Sequence, residues 1–137
     1  MHAYPPRQGA MAAYQTARET VDAGTAIVLL YEGAIRRLYE ARKAILEGKI
    51  EERYHSTMKA YAIISGLHSQ IDFNNGGEIA KQLDIFYSYI LQRITIMNVK
   101  EDVEICNELI NILKKMLESW RSIVGQMNHS NHLEMLY

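Results

Sequence analysis

The chain of 137 residues carries 15 basic and 16 acidic side chains, a formal net charge of −1, so no general positive field draws it to nucleic acid. Its length is that of one domain able to bury a core without staples, and its single cysteine, Cys106, excludes an intramolecular disulfide and a thiolate zinc site. No apolar run approaches the ~18 residues of a membrane span. Pro5, Pro6, Arg7 and Gly9 stand where a signal peptide needs its apolar stretch, so the expected setting is the cytosol, with no membrane insertion.

The chain divides into a mobile N-terminal segment (1–24), a four-helix bundle (25–125) and a frayed polar tail (126–137). Residues 10–21 form one short helix with Met11, Tyr14, Ala17 and Val21 on a face. Alone it is unstable, because so short a helix rarely survives in water without packing. Four long segments follow with apolar residues in alternating steps of four and three. The first places Ile27, Tyr31, Ala34, Leu38, Ala41 and Ile45 in line and stops near Gly48, a natural position for a left-handed residue. In the second the line is Ile50, Tyr54, Thr57, Tyr61, Ile64, His68 and Ile71. Asp72 to Gly77 then breaks the helix, and Asn75 with Glu78 has the spacing of a capping box. The third line is Ile79, Leu83, Phe86, Ile90 and Met97, with Tyr87 and Ile94 beside it and Arg93 at a position expected to be apolar. The fourth is Val103, Cys106, Ile110, Leu113, Leu117, Trp120 and Val124, opened by Glu101 and Asp102, which complement the helix dipole. Short links between long helices favour antiparallel neighbours, so the fold class is all-α, an antiparallel up-down four-helix bundle with a short mobile N-terminal helix.

These lines do not use all the apolar residues. The fourth helix has a second stripe, Ile105, Leu109, Ile112 and Met116, roughly 100° round from the first. The third has Ile85, Tyr89 and Ile96, and the first has Val28, Ile35, Tyr39 and Leu46. Bundle helices touch two neighbours and use broad faces for that. Excess stripes on three helices also suit a groove that receives amphipathic helices of a partner. Ile105, Leu109, Ile112 and Met116 are the first candidates for such a groove, then Ile85, Tyr89 and Ile96. The face of Met11, Tyr14, Ala17 and Val21 is a candidate cover for it.

Motifs for chemistry are sparse. Glu52 and His55 make one Glu-x-x-His, whereas a di-metal bundle site needs two. His68 reads as a boundary histidine bonded to a neighbour, and Cys106 as a small buried hydrophobe. Gly33 and Gly66 lie within helices, where close helix approach is the ordinary explanation. No metal, cofactor or catalytic residue is expected.

Three stretches resemble the FliS family of flagellar secretion chaperones. They are Ala13-Tyr14-Gln15; Leu29-Leu30-Tyr31-Glu32-Gly33-Ala34-Ile35-Arg36-Arg37-Leu38, which matches the family's Leu-Tyr-Asp/Glu-Gly-Ala; and Asp72-Phe73 through Gly76-Gly77-Glu78-Ile79-Ala80 with Leu83, Tyr87, Asn98-Val99 and Asp102. Leu117-Glu118-Ser119-Trp120 closes the series. Where the family has a Thr-Ala-Ser-Pro-like helix start, this chain has Val21-Asp22-Ala23-Gly24 and lacks the proline suited to a first helical position. The resemblance implies a non-enzymatic export chaperone. It would bind the disordered C-terminal helical region of flagellin, prevent premature polymerisation and keep the subunit competent for flagellar type III secretion. It further implies contact with export-gate components and a monomer or weak homodimer. A helical adaptor for another secreted or regulatory protein, or a metal-dependent bundle enzyme using Glu52 and His55, are the alternative expectations.

Overall fold

The computed structural model describes the backbone of residues 9–136 and the side chains of residues 23–129. Four helices follow in order: α1 (Gly9–Glu47), α2 (Ile50–Ser69), α3 (Gly77–Lys100) and α4 (Val103–Leu136). Neighbouring pairs are α1–α2, α2–α3, α3–α4 and α1–α4, which leaves α1 diagonal to α3 and α2 diagonal to α4. This is the expected antiparallel up-down bundle.

The links explain the reversals. Gly48 takes a left-handed φ of 67°, and the Lys49 N–H reaches back to the Ala44 carbonyl at 2.8 Å, which closes α1 in a Schellman-like turn. The second link is built on Asp72, not on a capping box. The Asp72 carboxylate accepts the backbone N–H groups of Asn74 and Asn75, both at 3.1 Å, and the Asn75 side chain, at 2.9 Å. Asn75 is therefore already engaged, and α3 starts without a side-chain cap. Gly76 is needed sterically, since a Cβ there would lie 2.6 Å from both the Asp72 carbonyl oxygen and the Ala80 Cβ. In the third link Asp102 accepts the Ile105 N–H at 3.1 Å and so caps α4.

The core is one cluster. Tyr31, Ala34, Leu38 and Ala41 of α1 meet Ile64 and Leu67 of α2, Tyr87, Ile90, Ile94 and Met97 of α3, and Cys106, Leu109, Ile110 and Leu113 of α4. The Tyr31 and Tyr87 hydroxyls, both buried, hydrogen-bond to one another at 2.9 Å. Cys106 donates its thiol hydrogen to the Leu38 carbonyl at 3.1 Å, and burial pushes its pKa up to about 11, so it remains a neutral core thiol.

Three expectations change. The short N-terminal helix is continuous with the first bundle helix, and α1 runs unbroken from Gly9. The fourth helix passes through Gly125 and continues to Leu136, where a frayed tail was expected. The inner line of α2 keeps Thr57 and Ile64 from the expected line but is completed by Ser56, Ala60 and Leu67, while Ile50, Tyr54 and Tyr61 point to water. Small residues on that line let α2 lie close to α1, and the large residues next to them are turned outward.

Candidate partner-binding surfaces

Polar contacts fix the orientation of the helices that carry the surface. Tyr89 donates its hydroxyl to Glu108 Oε1 at 2.6 Å, and Arg93 Nη2 donates to Glu108 Oε2 at 3.0 Å. The hydrogen bond from Tyr89, and then that from Arg93, hold the Glu108 carboxyl below the usual carboxylate range. Arg93 therefore breaks the apolar line of α3 in order to reach α4. On the other flank of α3, His68 Nε2 lies 2.6 Å from Asp84 Oδ1, and at the opposite end Arg53 pairs with Glu101 and donates to Asn98 Oδ1 at 3.2 Å. These two contacts pin both ends of α2 to α3.

The stripe predicted on α4 faces α3, and the structure sorts it by depth. Leu109 is fully buried and Ile105 nearly so, at 7% exposed, so neither lines an open groove; this corrects the expectation. Both supply the second packing face that a helix with two neighbours needs. Ile112 and Met116 are partly buried and pack against the core, as does Ile96 on α3. Ile85 is 70% exposed and Tyr89 41% exposed. The α3–α4 seam thus brings together Tyr89, Arg93 and Glu108, with Ile85 exposed on α3. The side chains of Met11, Tyr14, Ala17 and Val21 lie outside the described residues.

A second surface is one that sequence reasoning misses. Ile50, Tyr54, Met58 and Tyr61 form an outward stripe along α2, in steps of four, four and three, with Ile50 64% and Tyr54 57% exposed. The spacing of Ile50, Tyr54 and Tyr61 suits a buried seam, which is why sequence alone places them in the core. The signal that separates the two cases is the adjacent line of small residues, Ser56, Thr57 and Ala60, which is the closer-packing face. At the far end of the bundle a hollow of about 220 Å³ lies among Ile27, Leu67, Ile71, Leu83, Tyr87 and Trp120, with exposed Ile79 beside it.

Glu52 and His55 are exposed, and Glu52 lies 3.8 Å from Lys49. Among the described residues no group of three or more His, Cys, Asp or Glu is placed to hold a metal ion. None of the described helices is long and apolar enough to cross a membrane.

A helical bundle that turns tyrosines, a methionine and isoleucines to water has the build of a module that binds another protein chain. Comparison with known proteins gives the particular kind. The family model described as flagellar protein FliS matches residues 7–127. The flagellar secretion chaperone FliS of Campylobacter jejuni is 34% identical over 97 residues, covering 71% of this chain and 76% of that protein. The FliS chaperone of Vibrio cholerae is 30% identical over 109 residues, 80% of each chain, and that of Salmonella typhimurium 32% over 98 residues, 71% of this chain and 73% of the relative. The chain belongs to the FliS family of flagellar secretion chaperones, a family of chaperones rather than enzymes.

Proposed function

We propose that this protein binds the C-terminal helical region of flagellin in the cytosol, prevents its premature polymerisation and keeps it competent for export. The observation that carries the reading is the outward stripe of α2, Ile50, Tyr54, Met58 and Tyr61, on a helix whose inner face is already packed. An amphipathic cargo segment covers such a stripe with its own i, i+3 and i+4 anchors and folds as it docks. Ile85, Tyr89, Ile96, Ile112 and Met116 at the α3–α4 seam form a second contact line for the same cargo. Contact along both surfaces adds to the apolar burial that offsets the cost of ordering a disordered segment, about 2–5 kcal/mol or more. Holding cargo this way uses no cofactor, and handover to export-gate components follows by competition for the cargo. The free protein is a monomer or weak homodimer.

Isothermal titration with the C-terminal segment of flagellin from the same organism tests this. One-to-one binding with a strongly negative heat-capacity change, weakened by Tyr54→Asp, supports it. A folded, helical protein that does not bind that segment refutes the choice of cargo and leaves a general helical adaptor.

A further inference from the structure

The link from α2 to α3 carries the chain's single Asn-Gly pair, Asn75-Gly76, and Asn75 is exposed. An asparagine followed by glycine is prone to cyclise, because a residue without Cβ leaves its backbone nitrogen free to attack the preceding side chain. The fold builds this pair in. A Cβ on residue 76 would lie 2.6 Å from the Asp72 carbonyl oxygen, so only glycine fits there, and the Asn75 amide is used as a donor to Asp72.

One residue holds both groups that such a reaction needs. The Gly76 N–H, which carries the nucleophilic nitrogen, donates to the Asp72 carbonyl oxygen at 2.9 Å. Asn75 Nδ2, the leaving group, donates to Asp72 Oδ2 at 2.9 Å, and the Asn75 N–H donates to Oδ1 at 3.1 Å. The Asn75 side chain, and then its N–H, hold the Asp72 carboxyl below the usual carboxylate range. Asp72 and Asn75 are both exposed, and hydrogen bonds at the surface open locally at little cost.

We propose that Asn75 is a site of spontaneous deamidation gated by Asp72, and that the reaction permanently opens the α2–α3 link. When the turn opens, base takes the Gly76 amide proton and the nitrogen attacks Asn75 Cγ. The Cγ–Nδ2 bond breaks and ammonia leaves. Water then opens the resulting succinimide at one carbonyl or the other, which gives aspartate or isoaspartate. Either product removes the amide donor and adds a carboxylate beside that of Asp72, so like charges repel where a hydrogen bond closed the turn. Isoaspartate also lengthens the backbone by a methylene, which displaces the Gly76 N–H from the Asp72 carbonyl. Asp72 and Gly76 line the hollow that ends at Trp120, so the loosened link is one wall of it. The inference does not depend on what the α2 stripe binds.

The test follows the full chain over time in mildly alkaline buffer, with peptide mapping by mass spectrometry to separate asparagine from its two products. In the folded parent, Asn75 converts faster than Asn98, whose β-branched follower Val99 hinders attack. It converts several-fold more slowly than in the chain unfolded by guanidinium. Asp72→Ala, shown by circular dichroism to remain folded, speeds conversion several-fold. Asp72→Asn keeps an acceptor for the backbone N–H groups but loses the one that holds the Asn75 amide, so it also speeds conversion and serves if the alanine variant unfolds. Deuterium exchange of the isolated product is faster than that of the parent at the Asn74 and Gly76 amides. Conversion at Asn75 no faster than at Asn98, a folded rate equal to the unfolded one, a folded Asp72 variant with the parent's rate, or unchanged exchange in the product each overturns the proposal.

Discussion

Replacing Tyr31 with phenylalanine tests how the centre of the bundle is held together. Tyr31 and Tyr87 are buried, at 0% and 2% exposed, and their hydroxyls share one hydrogen bond of 2.9 Å between α1 and α3, the diagonal pair. Burial raises both phenol pKa values above the ordinary tyrosine range, so both stay protonated between about pH 6 and pH 9. Tyr31→Phe leaves the Tyr87 hydroxyl without that partner in an apolar setting, at a cost of about 1–3 kcal/mol. At about 4 °C per kcal/mol for a chain of this size, the melting temperature falls by about 4–12 °C. Removing both hydroxyls strands neither, so the double variant Tyr31→Phe with Tyr87→Phe should lie within about 1 kcal/mol of the parent. Denaturant unfolding of the parent, both single variants and the double variant closes a double-mutant cycle. If the double variant costs the sum of the singles to within about 0.5 kcal/mol, the hydroxyl pair is not a coupled unit and the reasoning fails.

Leu109→Ala should cost about 2–5 kcal/mol, because Leu109 is fully buried, whereas Ile85→Asp should leave urea unfolding nearly unchanged and weaken flagellin binding in titration calorimetry. A methyl group at Gly66 would meet no neighbouring atom within 4 Å, so close helix approach does not explain this glycine, and Gly66→Ala should stabilise α2 by about 1 kcal/mol in thermal unfolding. Glu108 has a folded-state pKa below its ordinary value, so its contribution to stability is present above the ordinary glutamate pKa and lost as pH falls through the folded value. Glu108→Gln should flatten the pH dependence of unfolding in that acidic window, and an unchanged profile would show that the contacts of Glu108 with Tyr89 and Arg93 do not form in solution.

The sequence is readable where large residues mark the inside. On α1, Tyr31, Ala34, Leu38 and Ala41 are expected inside and are fully buried, and on α4 the line through Cys106, Ile110, Leu113 and Leu117 is buried too. His68 is expected to bond a neighbour and lies against Asp84. Reading fails on α2 because hydrophobic spacing identifies a stripe without saying which way it points. Thr57 and Ile64 of the expected line are buried, but Tyr54 and Tyr61 of the same line are exposed, and Ser56 and Ala60 beside them face inward, where small or polar residues give hydropathy little to detect. Reading fails on α4 for the opposite reason. Its second stripe looks like surplus surface, yet Ile105 and Leu109 are required against α3, a neighbour whose position only the fold reveals. The cap at Asn75 is a fair local inference that Asp72 forestalls by binding Asn75 first.

The two misreadings together explain how α2 can present a binding surface at all. Leaving Ile50, Tyr54, Met58 and Tyr61 in water forgoes up to about 1.5–3 kcal/mol for each large apolar side chain. Folding alone does not favour that arrangement over one that buries them. The helix is held instead by means that need no large inner residue. Its inner line is small and close-packed, Arg53 fixes one end to Glu101 and Asn98, and His68 fixes the other to Asp84. Polar clamps at the ends and small residues along the inner face leave the outer face free to carry apolar bulk. The stabilisation forgone in the free protein is then available when a cargo helix covers the stripe, which is where a chaperone that binds a disordered segment needs it.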